Sequence, residues 1–192
     1  MALRIKSTWH DSDRNESIEK GLEDNAGALA FITWRIALDR AVNLHGEDYV
    51  YRTDGQRIAV ICEFLAFGIA LIDRMVFRRL AHGDREMFMN VLAQRVADHV
   101  QDNASDLFGP GEYRSGFIQT LNERLEEYAK YSYGDAGPAY SFNHFLGGRV
   151  VAIMGSDQTN KWSMDQVMDL DANEMYKKVG KAVDDLFMDM GP

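Results

Sequence analysis

The segment from Ile58 to Met75, IAVICEFLAFGIALIDRM, constrains the fold of this chain more than any other feature. Apolar side chains run almost all the way round its helical wheel, so it reads as a central helix buried among other helices. Yet it carries Glu63 and Asp73. A carboxylate removed from water has to be paired, hydrogen-bonded or protonated, so both acids require partners from elsewhere in the chain. The segment does not suit a membrane. A spanning helix needs about 20 apolar residues, and Glu63, Asp73 and Arg74 interrupt this one.

Around it the chain falls into helical stretches divided by glycine and proline. Residues 1–16 form a polar arm holding Ile5 and Trp9, and 17–192 read as a single helical domain. A first helix spans about 17–45 and stops at Gly46. Thr53-Asp54-Gly55-Gln56 has the form of a capping box opening the central helix, which is expected to continue to about Ala81. Asp84 then caps a third helix reaching Phe108, where Phe88, Leu92, Val96 and His99 share a face and Gly109-Pro110-Gly111 ends the run. A fourth, amphipathic helix covers about 113–133 with Phe117, Leu121, Leu125 and Tyr128 on its apolar side. A fifth, largely apolar one covers 139–154. Ser163-Met164-Asp165-Gln166 offers a second capping box for a final helix to about Met188. No stretch alternates apolar and polar residues, so no sheet is expected. These features define an all-α fold, an irregular bundle of about six helices around a buried central helix.

Composition narrows the classes of function. The 192 residues include 21 Lys and Arg against 30 Asp and Glu, a formal charge of −9. A phosphate backbone is repelled overall, so no nucleic-acid partner is expected. Arg74, Arg78 and Arg79 make a local basic patch, which the helix macrodipole explains as cations near a C-terminus. Cys62 is the only cysteine, so no intrachain disulfide can form, and inside an apolar helix it reads as a small hydrophobe. The N-terminus lacks a signal-peptide pattern, and a cytoplasmic protein without a membrane partner is expected.

Four polar residues are the candidate ligand-binding set: Glu63, Asp73, His99 and His144. For the two acids a structural ion pair is the simpler reading, with Arg35 and Arg40 of the first helix as available partners, although Arg35 and Asp39 are also spaced to pair with each other. A carboxylate-bridged metal site would draw on Glu-x-x-His pairs. None occurs, nor does His-x-x-x-His or Cys-x-x-Cys, so neither a metal nor a cofactor is expected. Tyr140, His144, Gly148 and Val151 fall on one side of the fifth helix. They line a pocket, or the glycines, Gly147 included, admit a neighbouring helix.

Other signatures fail. Gly155-Ser-Asp-Gln-Thr-Asn-Lys161 lacks the second glycine of a P-loop, and no Gly-x-Ser-x-Gly elbow exists. Asp165, Asp169 and Asp171 suggest magnesium, but acids in first helical turns also complement the dipole. Met164, Met168, Met175, Met188 and Met190 form a partner-binding face or fill core gaps. Tyr128, Tyr131 and Tyr133 offer aromatic interface residues. The resulting expectation is an interaction or structural protein forming a homo-oligomer such as a homodimer. Its alternative is a metal- or small-molecule-binding bundle, catalytic or not, with its site near the four polar residues.

Overall fold

Thr53 opens the central helix where the box motif places it: its hydroxyl accepts the Gln56 backbone N–H at 3.1 Å in the computed structural model. The structure describes residues 21–46, 49–155, 160 and 162–188. The polar arm, residues 17–20 and Met190 lie outside them. The return half of the box is shifted by one residue, because the Gln56 side-chain oxygen Oε1 accepts the Arg52 N–H at 2.7 Å. The Gln56 amide also donates to the Ile153 carbonyl at 2.9 Å, so a capping residue ties two helices together.

Five long helices and a compound sixth rod make up the described fold. They are α1 (Leu22–Gly46), α2 (Asp54–Val76), α3 (His82–Phe108), α4 (Arg114–Tyr128), α5 (Tyr140–Met154), and α6 (Ser163–Gln166), which runs through a π segment (Val167–Asp171) into α7 (Ala172–Met188). A two-residue hairpin, β1 (Tyr133–Gly134) with β2 (Gly137–Pro138), joins α4 to α5. The fold is all-α. No helix of the described residues is long and apolar enough to cross a membrane.

α2 packs against α1, α3, α4, α5 and α7. Its buried residues, from Val60 and Phe64 through Phe67, Leu71 and Val76, lie on more than one side of the wheel, as its composition requires. The flanking helices each supply a stripe: Leu29, Ala30, Trp34 and Ala37 from α1, Phe88, Leu92 and Val96 from α3, and Met175, Val179 and Val183 from α7. Where α4 and α5 meet α2 the core is aromatic. Tyr128 stacks on Phe142 at 4.5 Å between centroids, and Phe67 meets both rings edge-on. Asn160 closes the α5 end, donating to the Val50 and Met154 carbonyls and accepting from the Val50 N–H.

Several expected boundaries move, each for a local reason. α2 ends at Val76 rather than Ala81, because Phe77, Arg78 and Arg79 are exposed and the Arg79 and Leu80 N–H groups fold back onto the Val76 carbonyl. α3 then starts at His82, and Asp84 sits in its first turn instead of capping it. α4 stops at Tyr128 rather than Tyr133: Arg74 takes the carbonyls of Tyr128 and Ala129 at 3.2 Å each, satisfying groups that a helix end leaves open. The second capping box does not form. Ser163 lies inside the helix, fully buried, and Trp162 holds the N-cap position.

Candidate functional site

Glu63 is 2% exposed and finds its partner on α4 rather than on α1. Phe117, Leu121 and Tyr128 form the buried stripe of α4, and Arg124 stands in the same register, three residues after Leu121 and four before Tyr128. Its Nη2 donates to Glu63 Oε1 at 2.8 Å and its Nε to Oε2 at 2.9 Å. Arg149 of α5 adds a longer contact, Nε to Oε1 at 3.4 Å. The carboxylate in turn raises the Arg124 pKa, and burial followed by the Glu63 charge holds the Tyr128 phenol well above its ordinary value. This pair clamps α2 to α4 and α5.

The arginines of α1 are occupied elsewhere. Arg40, buried, pairs with Asp39, with Glu174 at 2.6 Å and with the fully buried Asp171 at 3.5 Å. Arg35 is exposed and lies over the Phe31 ring at 6.0 Å, while Asp39 takes Arg40 and Lys178 instead of Arg35. Asp171 therefore serves a buried ion pair at the close of the π segment. The sequence signal for both pairs was a charge standing in an apolar helical register.

Asp73 is different because it borders open space. Arg85 of α3 grips it with two hydrogen bonds, Nε to Oδ1 at 2.9 Å and Nη2 to Oδ2 at 2.7 Å, and both side chains remain about one-quarter exposed. The pair forms part of the wall of a cleft of about 480 Å³ between α2, α3 and α4. Ile69, Met89, Ile118 and Leu125 give it an apolar lining, and His82, Glu86, Asn90 and Asn122 supply polar groups. That mixture suits an organic molecule with a few hydrogen-bonding atoms.

The remaining candidates sit apart from this cleft. His99 is half-buried between aromatic rings, 5.9 Å from Trp34 and 6.0 Å from Phe31, and burial lowers its pKa despite the raising influence of Asp102 and Asp98, so it is neutral at pH 7. His144 is exposed, its ring 5.6 Å from that of Tyr140, which is exposed as well. The side of α5 bearing these two faces solvent. Gly147 instead admits the last rod, since a Cβ there would stand 2.9 Å from Met168 Cγ and 3.1 Å from Met164 Cγ. Glu63 and Asp73 are themselves ten residues apart on α2, about 15 Å along its axis. Among the described residues no three His, Cys, Asp or Glu side chains are grouped to hold a metal ion.

Burial bears on three further readings. Met168 and Met175 fill the core, whereas Met188 is exposed. Tyr128 lies inside the aromatic cluster and is closed to any interface. Burial, with the neighbouring Glu63 charge, raises the Cys62 thiol to about 12, so it is a neutral thiol at physiological pH.

The fold and cleft thus define an all-α bundle with a ligand-sized cleft between three of its helices. No protein-family model, no curated protein and no solved structure matches the chain.

Proposed function

We propose that the protein is a binding module whose α2–α3–α4 cleft receives a small molecule with a polar end and an apolar body. The observation that carries this reading is the Asp73–Arg85 pair, held two-pronged beside an apolar lining while still reaching water. The bidentate contact fastens α2 to α3, and the quarter of each side chain that stays exposed opens on the cleft, where it is available to a ligand. In the cleft, Asp73 accepts and Arg85 donates, so together they orient an amphoteric group such as an amino acid's. Glu63, His99 and His144 then have structural or surface roles, and Asp73 is the candidate at the site.

A thermal-shift screen of amino acids and their acylated or amidated derivatives tests this on the full chain. A ligand bound only by the native state stabilises it by about 2.7 kcal/mol at a hundredfold excess over Kd. The expected result is a hit whose shift disappears in Asp73→Asn and in Asn122→Trp, which fills the cleft from an exposed position. A hit equally strong in both variants, or no hit at all, removes the reading.

Homo-oligomerisation is the second reading, favoured by Trp162 and Leu170, 60% and 54% exposed on the rod that leads into α7. Large apolar side chains left in water are enriched where chains meet. Light scattering after size exclusion is expected to give a dimer or larger species that Trp162→Ser with Leu170→Ser converts to monomer. A wild-type monomer at high concentration ends this reading.

A further inference from the structure

Another groove, among the described residues, has a charge opposite to that of the chain. It runs between the C-terminal end of α2, the β1 hairpin and α7, encloses about 560 Å³, and is lined by Arg74, Arg78, Arg79, Lys177 and Lys181. Only Asp135 and Asp184 line it with negative charge. Asp185, which pairs with Lys181 at 2.7 Å, leaves cations in excess even when it is counted. In a chain of formal charge −9 this is a local reversal of sign.

The macrodipole of α2 accounts for arginines at its end. It does not account for the two lysines, which come from a different helix at an i,i+4 spacing and line the same groove. Nor are the cations committed to structural ion pairs. Arg78 and its partner Asp135 are 82% and 94% exposed, and Arg79 and its partner Asp184 are 39% and 51% exposed. Such solvent-exposed pairs hold weakly and give way to a stronger anion. Arg74 is anchored on the carbonyls of Tyr128 and Ala129, with no carboxylate neutralising it among the described residues.

The groove is also built in shape. Gly137 adopts φ +100°, which favours glycine, and a Cβ there would stand 2.6 Å from the Tyr176 ring and push it aside, so glycine lets the hairpin dock closely on α7. That docking sets Tyr133 edge-on to Tyr176 at 6.4 Å, and Gly134 leaves the space beside them open. Burial raises the Tyr133 phenol to about 12, so its hydroxyl is a neutral hydrogen-bonding group at pH 7.

We propose that this groove binds a small ligand bearing two or more phosphate groups, with Arg78, Arg79, Lys177 and Lys181 as its contacts. Guanidinium forks match phosphate oxygens two at a time, and lysines add mobile point charges. The acidic remainder of the surface repels a long phosphate chain, which favours a compact multiphosphate over a nucleic acid.

Calorimetry on the full chain with inorganic tripolyphosphate, and flotation with vesicles containing a phosphatidylinositol bisphosphate, test the proposal and separate its two sources. Binding of tripolyphosphate with a Kd below about 0.1 mM at low salt is expected. Lys177→Ala with Lys181→Ala should weaken it about tenfold, and Arg78→Ala further, while Arg35→Ala with Arg95→Ala on other surfaces leaves it unchanged. Capture by vesicles with the same dependence on the groove residues, but no affinity for tripolyphosphate, supports the same chemistry from a lipid headgroup. The proposal is overturned if neither probe binds, if the control variant weakens binding as much as the groove variants, or if a single-stranded RNA binds more tightly than either probe. Asp73→Asn leaves this binding intact, so the outcome is independent of the α2–α3–α4 cleft.

Discussion

Arg124→Ala is expected to lower the free energy of unfolding by about 3–5 kcal/mol, measured by urea denaturation, because it strands a buried carboxylate. Glu63 is almost inaccessible, and its remaining cation, Arg149, is farther away and partly exposed. Truncation removes the two closest hydrogen bonds of a carboxylate whose side chain is only 3% exposed. The arginine stem also packs in the stripe of α4, so truncation loses apolar contact in addition to charge. Glu63→Leu combined with Arg124→Met should recover the loss and even exceed the native stability, since an apolar pair of similar volume carries no desolvation penalty. A loss below about 1 kcal/mol for Arg124→Ala would instead mean that the pair is solvated in the native protein.

Phe67→Ala carries the next largest expected effect, about 3–5 kcal/mol, read from the same denaturation curves. The ring is fully buried where α2, α4 and α5 converge, in contact with Tyr128 and Phe142. Removing it costs the transfer energy of the side chain and leaves a cavity that two other rings border. Those rings are stacked on each other and Tyr128 is also held edge-on by Phe145, so they cannot collapse into the space. Phe67→Leu, which retains much of the volume, should cost less than half as much. Equal losses for the two variants would show that shape rather than volume holds the cluster together.

The helices were legible because their information is local. Phe88, Leu92 and Val96 recur at the helical period, Thr53 and Gln56 carry a cap in adjacent residues, and glycine follows α3 and α5 where each ends. The boundaries that moved were set by distant groups. Arg74 captures the carbonyls of α4 from 54 residues away, and α6 begins one residue early, with Trp162 at its N-cap, so Ser163 stands inside the helix instead of capping it. The candidate site was partly legible for the same reason. Glu63 announced the need for a partner by its apolar surroundings, but the sequence pointed to Arg35 and Arg40, and only the packing of α2 on α4 reveals Arg124, in the register of Leu121 and Tyr128, as that partner.

By itself, then, the amino-acid sequence determined an all-α chain, an apolar helix at Ile58–Met75 that must be surrounded, and the requirement that its carboxylates be compensated. Periodicity and burial energy act along the chain and need no knowledge of its path. The tertiary structure alone decided that Glu63 meets Arg124, that Asp73 with Arg85 borders a cleft, and that the arginines closing α2 face Lys177 and Lys181 of α7. Those are relations between residues 12 to 107 positions apart. Coulombic and packing forces depend on distance in space, and only the folded path of the helices sets that distance.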